Sequence, residues 1–159
     1  MAVQRVESFM TKNVVTLPKN ARISDAISLM AKKSLSCIVI TTKEGKVVGI
    51  ITERDLVKRV LQMGVNPQET EINCVMSTPV VAVSKDADIF DVMMVMQKHN
   101  FRRVIVTTPD KKLMGLVTQT DLFKGIKKVQ KELEVINRDM RKELERLRKF
   151  TSLRKVTLR

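Results

Sequence analysis

The sequence predicts an α+β protein in which two β-α-β-β-α repeats pack about a pseudo-two-fold axis and a long C-terminal α-helix follows. Two observations support this prediction. Residues 10–58 align without a gap on residues 76–124 at a constant offset of 66, and roughly a third of the aligned pairs are identical. Beyond Gly125 the pattern changes to one apolar stripe with helical spacing.

Each repeat opens with a short apolar run, at residues 14–17 and 80–83, which predicts a strand. An amphipathic helix follows, because apolar residues recur at i, i+3, i+4 and i+7 and so share one face. These residues are Ile23, Ala26, Ile27 and Met30 in the first copy, and Ile89, Val92, Met93 and Met96 in the second. One side of each helix is therefore expected to pack against a sheet.

Two β-branched runs come next, at residues 38–40 and 47–51 of the first copy, and the turn residues between them indicate a hairpin. A second helix begins near Thr52 and near Thr118, and Gly64 is a plausible C-terminal end for the first of these helices. Because the strands are almost continuously aliphatic, the two sheets are expected to pack on each other.

Composition excludes several classes of protein. No apolar run approaches the roughly 20 residues that cross a bilayer, and the N-terminal residues lack a signal-peptide core, so a cytoplasmic protein is expected. Cys37 and Cys74 have no metal-ligand or disulfide spacing and are interpreted as reduced thiols. The five glycines form neither a Walker loop nor a GxGxxG fingerprint. We therefore expect no enzyme: no catalytic residue, no catalytic cofactor and no metal site.

The pairs Thr52/Asp55 and Thr118/Asp121 stand where a strand passes into a helix. In one interpretation they are capping boxes, in which hydroxyl and carboxylate satisfy free amides of the first turn. In the other, the same helix entrance binds phosphate while the carboxylate accepts hydrogen bonds from a ribose diol. The residues alone leave both interpretations open.

The strings Gly49-Ile50-Ile51-Thr52-Glu53-Arg54-Asp55-Leu56 and Gly115-Leu116-Val117-Thr118-Gln119-Thr120-Asp121-Leu122, with Met10-Thr11 and Met76-Ser77 upstream, resemble the CBS (cystathionine β-synthase) motif. Residues 5–125 together resemble a tandem CBS pair, or Bateman module. The resemblance implies a regulatory adenosine-containing ligand: AMP, ADP, ATP or S-adenosylmethionine. It places Asp55 and Asp121 on ribose and Thr52 and Thr118 near ribose or phosphate. It sets two segments against adenine: Val15, Thr16 and Leu17, and Val81, Ala82 and Val83.

Arginines distinguish the two repeats. The second copy has Arg102 and Arg103 where the first has Ser36 and Cys37, whereas the first copy carries Arg54 inside its own motif. Resemblance to the family suggests that such residues reach ligand phosphates, and the planar guanidinium suits that role. Each site is thus expected to have a basic residue from a different place, which favours a phosphorylated ligand. Ordinary solvated surface arginines are the alternative.

The tail is the most basic part of the chain, with thirteen Lys or Arg against five Asp or Glu in residues 124–159. Its apolar stripe is expected to pair with another subunit, giving a homodimer, or to lie across the repeats. Its basic residues are a solvated face or a contact for a nucleic-acid backbone. The missing aromatic anchors disfavour a membrane surface. The basic residues are Lys124, Lys128, Lys131, Arg138 and Lys142.

We therefore divide the chain into a first repeat at residues 1–70, a second repeat at 71–125 and a basic helical tail at 126–159. The expected function is regulatory: the repeats sense an adenine nucleotide and signal through the tail. In one alternative, a nucleic-acid-binding protein uses the CBS pair as a dimerisation scaffold. In another, the tail docks on an enzyme or transporter.

Overall fold

A computed structural model describes residues 4–154 of the chain, with side chains for residues 4–149. Residues 1–3 and 155–159, which the sequence analysis assigns to the first repeat and to the tail, lie outside the described residues. The chain forms two compact units, one ending at Leu122 and the other beginning at Phe123. Within residues 4–154, no helix is both long enough and apolar enough to span a bilayer.

The predicted β-α-β-β-α order occurs twice, which confirms the α+β fold class. The first copy consists of β1 (Thr16–Pro18), α1 (Ile23–Lys33), β2 (Cys37–Thr41), β3 (Val47–Thr52) and α2 (Glu53–Asp55). The second copy consists of β4 (Ala82–Ser84), α3 (Ile89–His99), β5 (Arg103–Thr107), β6 (Leu113–Thr118) and α4 (Gln119–Arg154). A short 3-10 turn precedes each copy, at Val6–Ser8 and at Ile72–Cys74.

The second helix differs between the copies. In the first copy α2 continues as a π-helix over Leu56–Leu61, a rare geometry that the sequence pattern did not predict. This segment ends before Gly64, whose φ of 64° lies in the left-handed region that favours glycine. In the second copy the equivalent helix, α4, is 36 residues long.

Each copy builds one three-stranded sheet. The first strand pairs in parallel with the second strand of the copy, and the second and third strands form the predicted antiparallel hairpin. The first strands begin two residues later than the apolar runs suggest. Val14 and Val80, at the start of those runs, instead pack against an apolar cluster between the two sheets.

The helices bury most of the predicted face. Ile23, Ala26 and Met30 of α1 are buried, and their counterparts on α3 are buried too. Ile27 and Met93 were expected on the same face, but each is 38% exposed. Both lie at the edge of the apolar stripe, so the face against the sheet is narrower than predicted.

Isolated backbone bridges reveal the pseudo-two-fold relation. Thr11 corresponds to Ser77 and Leu116 to Ile50 at the offset of 66, so the bridge Thr11↔Leu116 has its counterpart in the bridge Ile50↔Ser77. Lys46↔Lys112 joins two residues that are themselves 66 apart, so this bridge lies on the axis. Buried residues of both sheets meet between the copies: Val39, Val47, Ile105 and Leu116. The predicted packing of the two sheets is thereby confirmed.

The short segment that precedes each copy, which we call its arm, packs in the core of the other copy. Val6 and Met10 pack in the core of the second copy, together with α3, β5 and β6. Ile72 and Val75 pack in the core of the first copy, together with α1, β2 and β3. Val6 and Ile72 are both 0% exposed. Each copy is therefore completed by an arm that the other copy's sequence supplies.

The second unit is the continuation of α4, which bears out the predicted long helix. Its stripe residues are half-exposed, from Leu133 at 38% to Leu144 at 57%. Side-chain hydrogen bonds along it include those of Gln130 with Glu134 and of Arg146 with Glu143. The basic residues that the sequence analysis selects are all exposed: Lys124, Lys128, Lys131, Arg138 and Lys142.

Candidate functional site

Thr52 and Asp55 form a capping box at the end of β3. The Thr52 amide and hydroxyl donate to Asp55 Oδ2 at 2.9 and 2.6 Å, and the Asp55 amide donates back to Thr52 Oγ1 at 3.3 Å. Thr118 and Asp121 repeat this geometry at 2.9, 2.7 and 3.3 Å. The capping interpretation therefore holds at both positions, and it uses one oxygen of each carboxylate.

The other carboxylate oxygen distinguishes the two positions. Asp55 Oδ1 accepts a hydrogen bond from Ser77 Oγ at 3.1 Å and lies 3.7 Å from Arg59 Nε. Within residues 4–154, Asp121 Oδ1 has no such partner. The residue that corresponds to Arg59 is Gly125, which has no side chain to offer. Because a carboxylate provides about four acceptor sites, Asp121 has fewer of them engaged by protein groups than Asp55 does.

Asp55 lines a cavity of about 260 Å³ between the two copies. The first copy contributes Ile50, Thr52 and Arg54 to its wall. The rest of the lining comes from the second half of the chain: Ser77, Pro79, Val80, Val81, Phe101, Arg103 and Ile105. The pseudo-two-fold relation thus sets the motif of one copy against the strands of the other. We call this cavity the Asp55 cleft.

A smaller cavity of about 150 Å³ shares Thr52, Arg54, Phe101 and Arg103 with the Asp55 cleft. Arg102 also lines it. Three arginines therefore surround one pair of adjoining cavities. This differs from the expectation that each site has its own basic residue, because the pairing of β5 with the first copy's motif cannot be read from the order of residues along the chain.

Two arginines are fixed by backbone carbonyls. Arg103 donates to the Ser36 carbonyl at 2.6 Å, and Arg59 donates to the carbonyls of Val75 and Met76 at 2.8 and 3.0 Å. Hydrogen bonds of this kind hold a guanidinium in one orientation. Arg54 and Arg102 have exposed side chains at the mouth of the cavities. The region around Asp55 thus has guanidinium groups held by backbone carbonyls and guanidinium groups that are exposed.

The six residues that the family resemblance sets against adenine do not line one common cavity. Val81 lines the Asp55 cleft, whereas Ala82 and Val83 line a different cavity of about 650 Å³ beside the hairpin turns. Val15, Thr16 and Leu17 line none of these three cavities. Leu17 packs instead against the core of the first copy. Among the described residues, Val81 is the one of these six that shares one of the three cavities with a motif carboxylate.

Sequence reasoning missed several residues of the Asp55 cleft. Phe101 lines both cavities, and its ring stacks on His99 with ring centroids 5.3 Å apart. Ser77 and Arg59 contact the Asp55 carboxylate directly. The sequence signal for Phe101 was its position, since it is an aromatic residue immediately before two arginines.

Cys37 borders the same region. Burial raises the pKa of its thiol, and the nearby Arg103 guanidinium opposes that shift only in part. The thiolate population is therefore reduced at neutral pH. A raised pKa also favours the folded state below the pKa of the unfolded thiol, and this contribution is lost as pH rises through the folded value.

We expect Cys37 to react with iodoacetamide at least tenfold more slowly in the folded protein than in urea, because only the thiolate attacks. The measurement uses a Cys74→Ser variant, in which Cys37 is the sole thiol, and follows alkylation by mass spectrometry from pH 7 to pH 10. The rate should rise with pH. Equal rates in the folded and the urea-unfolded protein at pH 7 would contradict the prediction.

Comparison with known proteins places this geometry in a family. The CBS domain profile matches residues 6–62 and 71–128. The protein MJ1404 of Methanocaldococcus jannaschii is 32% identical over 139 residues, which cover 80% of this chain and 33% of MJ1404. The chain spans about a third to a half of the length of the first curated relatives it matches.

Two solved structures share the fold. The CBS domain protein TA0289 from Thermoplasma acidophilum is 31% identical, with a TM-score of 0.71 over 77% of this chain and 68% of its own. The CBS domain pair of MJ0100, solved in complex with 5-methylthioadenosine and S-adenosyl-L-methionine, is 26% identical. Its TM-score is 0.69 over 78% of this chain and 96% of its own. With its motif repeated in register and its arms exchanged about one axis, the chain belongs to the CBS domain family as a tandem CBS pair.

Proposed function

We propose that this CBS pair is a regulatory module that binds an adenosine 5′-phosphate, of the AMP, ADP or ATP class, in the Asp55 cleft. The observation that supports the proposal is the convergence of Arg54, Arg102 and Arg103 on two adjoining cavities, the larger of which is also lined by Asp55. No catalytic step is part of the proposal. The module acts through occupancy of the cleft.

The chemistry of the lining matches the parts of a nucleotide. Ile50, Val80, Val81 and Ile105 give apolar walls, and Phe101 gives an aromatic face against which a base can stack. Asp55 retains acceptor capacity for a ribose hydroxyl beside Ser77. The adjoining cavity places guanidinium groups where a 5′-phosphate would lie. Together the two cavities reach the size of small-molecule sites, roughly 300–1,000 Å³.

The neighbour MJ0100 supports the adenosine part of the proposal, because its CBS pair was solved with two adenosine derivatives. Those two ligands carry no phosphate. The phosphate part of the proposal therefore rests on the arginines of this chain alone.

The proposed output passes through α4. Thr118 and Asp121 lie at its start, so a ligand that contacts this motif touches the first turn of the helix that continues into the tail. A ligand shifts an equilibrium only by its differential affinity for the two states. We propose that the state favoured by ligand is read through the tail, in a cytoplasmic homodimer whose apolar stripes are covered by a second copy.

Replacing Asp55 with alanine is expected to weaken AMP binding at least tenfold, or about 1.4 kcal/mol, since a ribose acceptor is lost together with the hydrogen bond from Ser77 and the ion pair with Arg59. Isothermal titration calorimetry with AMP measures the effect. Asp91→Ala is the matched control, because Asp91 also accepts from the N-cap amide of its helix, at 3.0 Å, but lines none of the three cavities.

The Asp91 variant should bind AMP as the wild type does, and both variants should remain folded by thermal denaturation. Equal affinities of the wild type and the Asp55 variant would remove Asp55 from the site. A wild-type protein that binds no adenosine derivative at all would instead favour the alternative in which the CBS pair is a scaffold and the tail contacts nucleic acid.

A further inference from the structure

The part of α4 that follows Gly125 carries one apolar stripe along its length. The stripe residues recur at spacings of 3 and 4, as in a coiled-coil seam, with one longer step after Met140. They are Ile126, Val129, Leu133, Ile136, Met140, Leu144 and Leu147. Most of these side chains are exposed. The stripe therefore needs a partner, because an amphipathic helix gains most of its stability from burying its apolar face.

The two flanks of the stripe differ in charge. In heptad notation the residues that precede each a position are the g residues, and those that follow each d position are the e residues. The g side, which we call the acidic flank, consists of Glu132, Asp139 and Glu143. The e side, which we call the opposite flank, consists of Gln130, Asn137 and Arg148 and contains no acid.

This difference makes the direction of helix pairing matter. In a parallel pair the acidic flank of each helix faces the opposite flank of the other, whereas in an antiparallel pair like flanks face each other. The acidic flank occupies residues 132–143, in the middle of a stripe that runs from 126 to 147. Antiparallel overlap would therefore set carboxylates against carboxylates, which is destabilising. Parallel overlap instead places Glu143 beside Arg148 of the second copy, where opposite charges attract.

Contacts within the helix do not remove this asymmetry. Arg146 lies 3.3 Å from Glu143 of its own helix, but both side chains are more than half exposed, and such a pair contributes little. The basic residues selected from the sequence occupy the outward c and f positions beside this stripe, so pairing leaves them in solvent. These residues are Lys128, Lys131, Arg138 and Lys142.

We infer that a second copy of this chain covers the stripe and that the two tail helices pair in parallel. The inference rests on the proposed function for the presence of a second copy, and it adds the direction of pairing. The direction does not depend on the number of copies, because in any parallel bundle the acidic flank of one helix faces the opposite flank of its neighbour. Parallel pairing brings the Gly125 residues of the two copies to the same end of the paired tails.

Disulfide formation between introduced cysteines tests the direction. In the full chain with Cys37→Ala and Cys74→Ser, Ile126→Cys and Leu147→Cys are made as separate variants. These positions lie ~32 Å apart at 1.5 Å per residue, whereas a disulfide needs Cα atoms within roughly 7 Å. In a parallel pair each variant therefore links to itself in a glutathione redox buffer. In an antiparallel pair neither does, and an equimolar mixture of the two links position 126 to position 147.

We expect each variant alone to link at least tenfold more than positions 126 and 147 link in the mixture, as measured by peptide mass spectrometry. Adding Leu133→Asp to either variant should lower its yield at least tenfold, because the stripe is interrupted. Glu132→Gln with Glu143→Gln should raise the 126-to-147 link at least fivefold. The matched control is Glu134→Gln with Glu145→Gln, which removes two exposed acids that lie on neither flank and should change nothing.

The inference is overturned if the 126-to-147 link dominates, or if Leu133→Asp leaves the yields unchanged. It is also overturned if no combination links, since the stripe is then covered by another surface such as the repeats of its own chain. Equal effects of the two glutamine pairs would show that the flanks do not set the direction. Calorimetry with AMP on the same variants separates the two proposals: links without AMP binding would overturn the proposed ligand alone, and AMP binding without links would overturn this inference alone.

Discussion

Replacing Gly115 with alanine is expected to destabilise the protein by about 1–3 kcal/mol or more, as overpacking of a tight core does. A Cβ atom at Gly115 would lie 2.7 Å from the Met10 sulfur and 2.9 Å from the carbonyl oxygen of Thr11. That carbonyl accepts a hydrogen bond from Leu116 N at 2.9 Å, so it cannot retreat without breaking the bridge between the arm and β6. Urea denaturation measures the change in the free energy of unfolding.

Gly49 is the matched position in the first copy. There the three heavy atoms nearest to an alanine Cβ all belong to the Met76 side chain, and its sulfur is the nearest of them. A double-mutant cycle should separate the two cases. Met76→Ala should relieve most of the clash in Gly49→Ala, whereas Met10→Ala should relieve less of the clash in Gly115→Ala, because the Thr11 carbonyl remains. Equal coupling energies for the two pairs would show that the backbone contact at Thr11 is unimportant.

Ile72→Ala is expected to cost about 2–5 kcal/mol, the usual range for truncating a fully buried isoleucine. The side chain is 0% exposed and packs with α1, β2 and β3, although its sequence belongs to the second repeat. Hydrogen exchange should therefore show the larger loss of amide protection in β2 and β3 of the first copy.

Leu61→Ala serves as the control for Ile72→Ala. Leu61 is 79% exposed, so its truncation should stay within about 0.5 kcal/mol. A loss of protection confined to β5 and β6 in the Ile72 variant would mean that the arms are not exchanged in solution.

Periodicity was sufficient to predict the elements of the fold. Apolar residues recur with strand or helix spacing because each element has one face that must be buried. These spacings, found twice at the 66-residue offset, predicted the correct order of strands and helices. The π-helix at Leu56–Leu61 was not predictable, since its apolar spacing resembles that of an ordinary helix turn. The late start of β1 was missed because Val14 is partly buried against the apolar cluster between the sheets rather than paired in one sheet.

The site was predicted less completely than the fold. Thr52 and Asp55 were found because capping and ligand binding favour the same residue types at the same spacing. The grouping of Arg102 and Arg103 with Arg54 depends on which strand faces which motif across the axis, and that relation is a tertiary fact. Phe101 and Ser77 enter the cleft for the same reason: both come from the copy opposite Asp55.

The exchanged arms make each half of the chain incomplete as a folding unit. If the polypeptide were cut between residues 62 and 71, each fragment would carry the N-terminal segment that completes the hydrophobic core of the other fragment. Neither fragment could then complete its own core alone. A gene that encoded a single half would yield a product that matures only by association with another, in the manner of a domain swap. The covalent link between the halves makes that association unnecessary. It also allows the residues around Asp55 and around Asp121 to differ in charge, which two identical halves could not do.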